Sequence, residues 1–252
     1  MPPITVLLYH RVDGTGSNLA TPPGVFEKHM AWLASSGFTT LTSAELDRAL
    51  VDDDAVLPRR PLVLTFDDGT ACLERQVEPV LERHGFTGVG FVITGRTDGG
   101  TPGDLSWEAV RRLDRGGVME ISTHSHSHLR WPLRDDEAGA VMDDLGRSRR
   151  LLAEHLDRPE SSFTHLAWPF GRTNPAWESA AVDAGFTTQY VVQRGAITHR
   201  HQSVRLPRLM ADGMSTSVLA SWVSLLSRSG GARLGNEVFG RVRESRQGAA
   251  YR

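Results

Sequence analysis

The stretch Leu62-Val63-Leu64-Thr65-Phe66-Asp67-Asp68-Gly69 decides how this 252-residue chain is read. Residues 62–66 form a short apolar and β-branched run, the composition of a buried strand. The run ends, without a spacer, on two adjacent carboxylates. Neighbouring carboxylates repel unless a cation or hydrogen bonds offset their charge. One carboxylate on a divalent metal and the other free as a base is a simple division of labour. Asp-Asp-Gly is equally the composition of a turn capping a helix that starts near Thr70, so this stretch alone leaves both readings open.

Working outward, strand-like runs recur at 5–9, 39–41, 88–93, 118–122, 163–167, 187–192 and 203–206. Helical patterning fills 24–36, 43–50, 70–84, 106–115, 135–156, 175–184 and 215–227. Phe26, Met30 and Leu33 share one helical face, as do Val141, Leu145, Leu152 and Leu156. Ser43, Ser106 and Asn174-Pro175 are helix-start signals. Gly37, Gly85 and Gly185 each end a helix and precede Phe38, Phe86 or Phe186, a repeated helix-to-strand join. Strands alternating with helices specify parallel βα units. Seven or eight such units without a domain boundary imply an α/β fold, a single-domain (β/α) barrel over residues 1–227. Residues 228–252 have the composition of a polar, partly disordered tail. In such a barrel chemistry gathers at the C-terminal ends of the strands.

Two further motifs follow predicted strands. After 118–122 comes Thr123-His124-Ser125-His126-Ser127-His128. His124 and His128, four apart, fall on one side of a helical turn or tight loop, a spacing that suits two nitrogen ligands on one metal. His126 points elsewhere. Solvated loop histidines are the plain alternative. After 163–167 comes Trp168-Pro169-Phe170-Gly171, where rigid Pro169 and permissive Gly171 can aim a backbone N–H into a pocket; an ordinary turn has the same composition. The three motifs together fall on one barrel face.

The bulk composition excludes several classes. A net charge of −2 leaves no basic field for a nucleic-acid backbone. Cys72 is the only cysteine, which rules out an intramolecular disulfide and suits a reducing compartment. No apolar run approaches the ~20 residues of a membrane span. The N-terminus lacks the features of an export signal, so the expected location is cytoplasmic, or extracellular only if a leader has been removed.

At the level of motifs, Leu64-Thr65-Phe66-Asp67-Asp68-Gly69 resembles the first motif, TFDDG, of the polysaccharide deacetylase (NodB-homology, carbohydrate esterase family 4) family. His124-Ser125-His126-Ser127-His128 resembles its second, and Trp168-Pro169-Phe170-Gly171 its third. Tyr9-His10-Arg11-Val12, Phe26-Glu27-Lys28-His29, Leu105-Ser106-Trp107 and Leu206-Pro207-Arg208 extend the resemblance to a short branch of that family. The resemblance implies a distorted (β/α)7-type barrel and a metal-dependent hydrolase that removes an N-acetyl group from an amino sugar or glycan. It implies Zn2+, or Co2+, Ni2+ or Mn2+, held by Asp68, His124 and His128. Asp67 matches the catalytic base, and the backbone N–H of Phe170 matches the oxyanion donor.

Two departures stand out. Ala167 occupies the place where many members carry an arginine that orients the base, so Asp67 must be positioned another way. Leu206-Pro207-Arg208 lacks the histidine that serves as general acid elsewhere; Arg208, always protonated, suits an oxyanion or carboxylate instead. His10, at the end of the first strand, is the candidate for the acid, though it can equally pack as a neutral histidine. His199 and His201 precede the last strand and fall on the opposite face. Trp168, Pro169 and Arg208 are candidate substrate contacts, while the loops 94–104 and 129–134 carry specificity. A cytosolic small-molecule amide is the rival substrate class, and an idle carbohydrate-binding relative the rival protein class.

Overall fold

The computed structural model describes residues 1–97, 103–128, 137–199 and 202–237. Its strands, in chain order, are β1 (Thr5–Tyr9), β2 (Arg11–Val12), β3 (Ala20–Thr21), β4 (Thr39–Thr40), β5 (Pro61–Phe66), β6 (Gly88–Val92), β7 (Met119–Thr123), β8 (His165–Ala167), β9 (Thr188–Val192) and β10 (Leu206–Met210). The helices are α1 (Pro23–Ser35), α2 (Ser43–Val51), α3 (Glu78–His84), α4 (Trp107–Gly116), α5 (Ala138–Leu156), α6 (Pro175–Asp183) and α7 (Thr216–Leu226).

The main sheet is parallel, in the order β1-β10-β9-β8-β7-β6-β5-β4, and β1 pairs with β5. That last pairing, Thr5 opposite Leu62 through Tyr9 opposite Phe66, closes seven strands into the expected barrel. The closure is uneven. β6 meets β5 only at Thr65 and Phe66, because β4 takes the earlier part of the same edge at Pro61 and Leu62. β7 and β8 pair only at Thr123 and Leu166.

Side-chain alternation, with its period of two, assigns inside and outside. Val6, Val63, Val89, Phe91, Ala167, Tyr190 and Leu206 pack with Leu46, Ala49 and Leu50 of α2. Leu7, Tyr9, Leu62, Leu64 and Phe66 pack instead with Phe26, Met30 and Leu33 of α1. Continued one step past β5, the alternation sends Asp67 inward. Continued past β7, it sends His124 inward beside it.

The sequence cues at the helix ends hold at Ser106 and Asn174, whereas α2 is capped by Thr42, one residue before the expected Ser43. Thr42, Ser106, Asn174 and Ser215 each accept a hydrogen bond from a backbone N–H in the first helical turn. Gly37, Gly85 and Gly185 all have positive φ, and Phe38, Phe86 and Phe186 are buried after them.

Three expectations shift. The helix expected over 70–84 opens with a wide π turn at Leu73–Val77 before α3. The last strand lies at Leu206–Met210 rather than 203–206. Pro207 reads as a strand terminator in sequence, yet it sits inside β10 opposite Val191. Residues 229–237 are helical, although the polar composition after Ser227 suggests a tail. Ala232 is fully buried in the core there, and the Asn236 side chain donates to and accepts from the backbone of Ala196. Residues 98–102 and 129–136, most of the expected specificity loops, lie outside the described residues, as do Arg200, His201 and residues 238–252.

Candidate active site

Asp67 continues the β1–β5 ladder, its N–H donating to the Tyr9 carbonyl at 2.9 Å. Its carboxylate is 2% exposed. Arg208, fully buried, meets it with a two-pronged contact, Nη1 to Oδ1 at 2.7 Å and Nη2 to Oδ2 at 2.8 Å. This fork geometry matches a carboxylate as a lysine cannot. The guanidinium lies over the adjoining rings of Phe91 (5.7 Å) and Tyr190 (5.9 Å), and Nη1 also donates to the Thr65 hydroxyl. Burial pushes the Asp67 carboxyl up, but the charge and hydrogen bonds of Arg208, with His124 and His10, together outweigh it and leave the group at about 2.

The chain reverses sharply after Asp67. Asp68 and Gly69 both adopt positive φ, 73° and 69°. A Cβ on Gly69 would stand 3.1 Å from the Val92 backbone, so glycine is required there. The turn swings the Asp68 carboxylate over the strand ends.

After β7, Ser125 and His128 also take positive φ. Asp144 of α5 holds this loop by accepting from the N–H groups of His126 and Ser127. His126 turns away, as its position between the other two histidines suggests, and its Nδ1 meets the Thr94 hydroxyl. His124 Nδ1 donates to the Ala167 carbonyl at 2.7 Å, which leaves the Nε2 lone pair facing the carboxylates, 3.6 Å from Asp68 Oδ1 and 3.8 Å from Asp67 Oδ2. His128 Nε2 is also 3.6 Å from Asp68 Oδ1. Burial, aided by His124, lowers His128 to about 4 and keeps its imidazole neutral.

One ligand atom from each of Asp68, His124 and His128 falls within 4.8 Å of the others. The set fits a divalent transition metal by its chemistry: two imidazoles, one oriented by a carbonyl behind it, and one carboxylate. Three protein ligands leave coordination positions open, the arrangement of a reactive rather than a structural metal.

Around the same mouth, His10 Nδ1 bonds Asp212 Oδ2 at 2.6 Å, and the His10 N–H donates to Asp212 Oδ1. Burial works to lower the imidazole, but Asp212, Asp67 and Asp68 together raise it above its ordinary value. Asp212 has no motif to mark it. With the last strand expected at 203–206, residue 212 falls too far beyond the strand end to count as part of the site.

The turn after β8 is only partly as expected. Phe170 is 47% exposed at φ 57°, with its ring 4.9 Å from that of His128. Gly171 is forced, since a Cβ there would stand 2.3 Å from the Val192 nitrogen. Trp168 is not a substrate contact. It points outward, fully buried, packs near Trp177 and donates from Nε1 to Gln189. The alternation that sends Ala167 inward requires this. Pro169 is buried in the turn, so it shapes the loop and offers no open surface. Arg208 likewise has no exposed surface to offer a substrate; it holds the Asp67 carboxylate instead.

A closed parallel barrel with a metal-competent Asp-His-His cluster beside a buried carboxylate, all at the C-terminal mouth, defines a class of α/β-barrel proteins. Residues 54–189 match the family described as "Polysaccharide deacetylase", and the chain belongs to that family. A Bacillus subtilis (strain 168) protein, YxkH, named as a polysaccharide deacetylase, is 26% identical over 87% of this chain and 76% of its own length. Poly-beta-1,6-N-acetyl-D-glucosamine N-deacetylase of Staphylococcus aureus (strain MSSA476) is 21% identical over 81% of this chain and 72% of its own. In fold, the chain is similar to the Streptococcus pyogenes deacetylase PplD, solved in complex with acetate: TM-score 0.78, 20% identity, covering 88% of this chain and 99% of that one. The family match includes Asp67, Asp68, His124, His128 and Phe170. His10, Arg208 and Asp212 lie outside it and reach the site through the barrel's closure.

Proposed function

We propose that this chain is a metal-dependent deacetylase that hydrolyses the N-acetyl group of an amino sugar or a glycan. The observation that carries the reading is the Asp68-His124-His128 cluster held against the Asp67 carboxylate at the barrel mouth. Asp68, His124 through Nε2 and His128 would hold the divalent ion. When bound, that ion supplies Lewis-acid polarisation of the acetamide carbonyl and of the attacking water.

The chain's own groups do the rest. Asp67 accepts the proton of the attacking water on its Oδ2 side, which faces the cluster, while Arg208 holds the carboxylate in place. The turn at Phe170 offers its backbone N–H to the oxygen that gains charge as the carbonyl carbon becomes tetrahedral. His10, held at Nδ1 by Asp212, delivers a proton from Nε2 to the departing amine. The products are acetate and a free amine.

Sequence similarity to the poly-beta-1,6-N-acetyl-D-glucosamine N-deacetylase of S. aureus supports an N-acetylated sugar as the substrate. The test is acetate release from N-acetylglucosamine oligomers and monomers by protein loaded with Zn2+, Co2+, Ni2+ or Mn2+. Metal-dependent release supports the reading. Metal binding without release from any acetylated compound would favour an idle carbohydrate-binding relative.

A further inference from the structure

Beside His10 the barrel mouth opens into a cavity of about 670 Å3 over the ends of β9 and β10, where Met210, Met214, Val218 and Trp222 form an apolar wall and Asp212, Gln193, Arg194 and Ser215 supply polar groups. Met210 and Val218 are 37% and 45% exposed. Val218 and Trp222 are four apart on α7 and so present one face. The volume falls within the range of a small-molecule site, and an apolar wall with a few polar groups at one end is the usual make-up of such a site.

The geometry points to this cavity as a specificity pocket for an apolar substituent, aryl or short alkyl, carried on the amine-bearing half of the substrate. This rests on the deacetylase reading above and narrows its substrate class. The cavity's place, together with the proposed role of His10, fixes which half of the substrate enters. The metal-competent cluster follows β5 and β7, whereas the cavity lies over β9 and β10, adjoining β1, so it sits on the His10 side of the mouth. His10 protonates the departing nitrogen, and whatever that nitrogen carries extends past His10 toward Asp212, which lines the cavity.

A further observation fixes the chemistry. A platform for a bare sugar ring needs an open aromatic face, but Arg194 already lies over the Trp222 ring at 5.3 Å. The apolar wall that remains is the thioether and aliphatic surface of Met210, Met214 and Val218, which is adaptable and suits an apolar group better than a hydroxylated one.

The test compares the benzyl and methyl glycosides of N-acetylglucosamine as substrates and, by calorimetry, as ligands. It uses metal-loaded wild type, Val218→Asp and Met210→Asp. Both substituted positions are exposed and lie on different elements. The expected result is a preference for the benzyl glycoside of roughly tenfold in kcat/KM and in affinity, the scale of burying part of a phenyl ring. In each variant the benzyl-to-methyl ratio falls toward one. Equal values for the two glycosides in wild type, or a preference that survives both substitutions, would overturn the proposal. Preferential binding of the benzyl glycoside with no hydrolysis of either would sink the deacetylase reading and leave the pocket standing.

Discussion

Arg208 grips both oxygens of Asp67 from inside the barrel, at 2.7 and 2.8 Å, although the two residues stand 141 positions apart in sequence. The pair does locally what no neighbouring residue can. It fixes the rotamer of a carboxylate that must accept a proton, and it keeps that carboxylate ionised despite near-complete burial.

Removing one partner should therefore cost far more than removing both. Arg208→Met leaves a buried carboxylate without its counter-charge and should destabilise the fold by roughly 3–5 kcal/mol. The double variant Asp67→Asn/Arg208→Met should recover much of that loss in urea denaturation while remaining inactive. A single Arg208→Met variant as stable as wild type would show that the pair contributes nothing.

His10 and Asp212 make a second prediction, confined to kcat. His10→Gln should lower kcat by roughly 10²–10⁴-fold, the usual contribution of a positioned proton donor, with KM little changed. Asp212→Asn should have a smaller effect in the same direction, because it acts through His10. Full activity in His10→Gln would assign the proton to another group.

Trp168 should behave as a core residue. Truncation to alanine empties a fully buried indole site and should cost roughly 3–5 kcal/mol on denaturation. KM for an acetylated sugar should stay where it was. A raised KM without loss of stability would restore the substrate-contact role.

Stability should fall as the solution is acidified from about pH 6.5 toward 4, through His29. Burial lowers this imidazole to about 4, against an opposing effect of the Met214 backbone. A histidine depressed in the folded state binds its proton more readily when unfolded. Acid therefore favours unfolding throughout that window, and the loss is complete below the folded value. The shift corresponds to a change on the order of 3 kcal/mol. His29→Gln should flatten the slope of stability against pH between those limits; an unchanged slope would remove His29 as its cause.

Much of the site is legible in the sequence because a strand's period of two carries past its last residue. Thr65 inward makes Asp67 inward, and Ser122 inward makes His124 inward. The same counting, applied to Ala167, turns Trp168 outward; the recognisable Trp-Pro-Phe-Gly motif obscures it. The pairing of Arg208 with Asp67, and Asp212 altogether, escape a sequence reading for a different reason. Pro207 looks like the end of a strand, which sets β10 a few residues too early and leaves Arg208 among loop residues rather than inside the barrel. Nothing local ties Arg208 to Asp67, since their contact exists only once β10 lies beside β1 and closure brings β5 to the other side. The helix over 229–237 is hidden by polar composition, because Ala232 alone offers little sign of burial.

The most direct test of the central claim is acetate release from an N-acetylglucosamine oligomer by metal-stripped protein titrated with a divalent cation, with bound metal counted by elemental analysis. The expected result is activity that rises from nothing and levels off at one bound ion per chain, with both the ion and the activity lost in His124→Ala. Acetate release that needs no metal, or a protein that takes up no ion at all, would contradict the account.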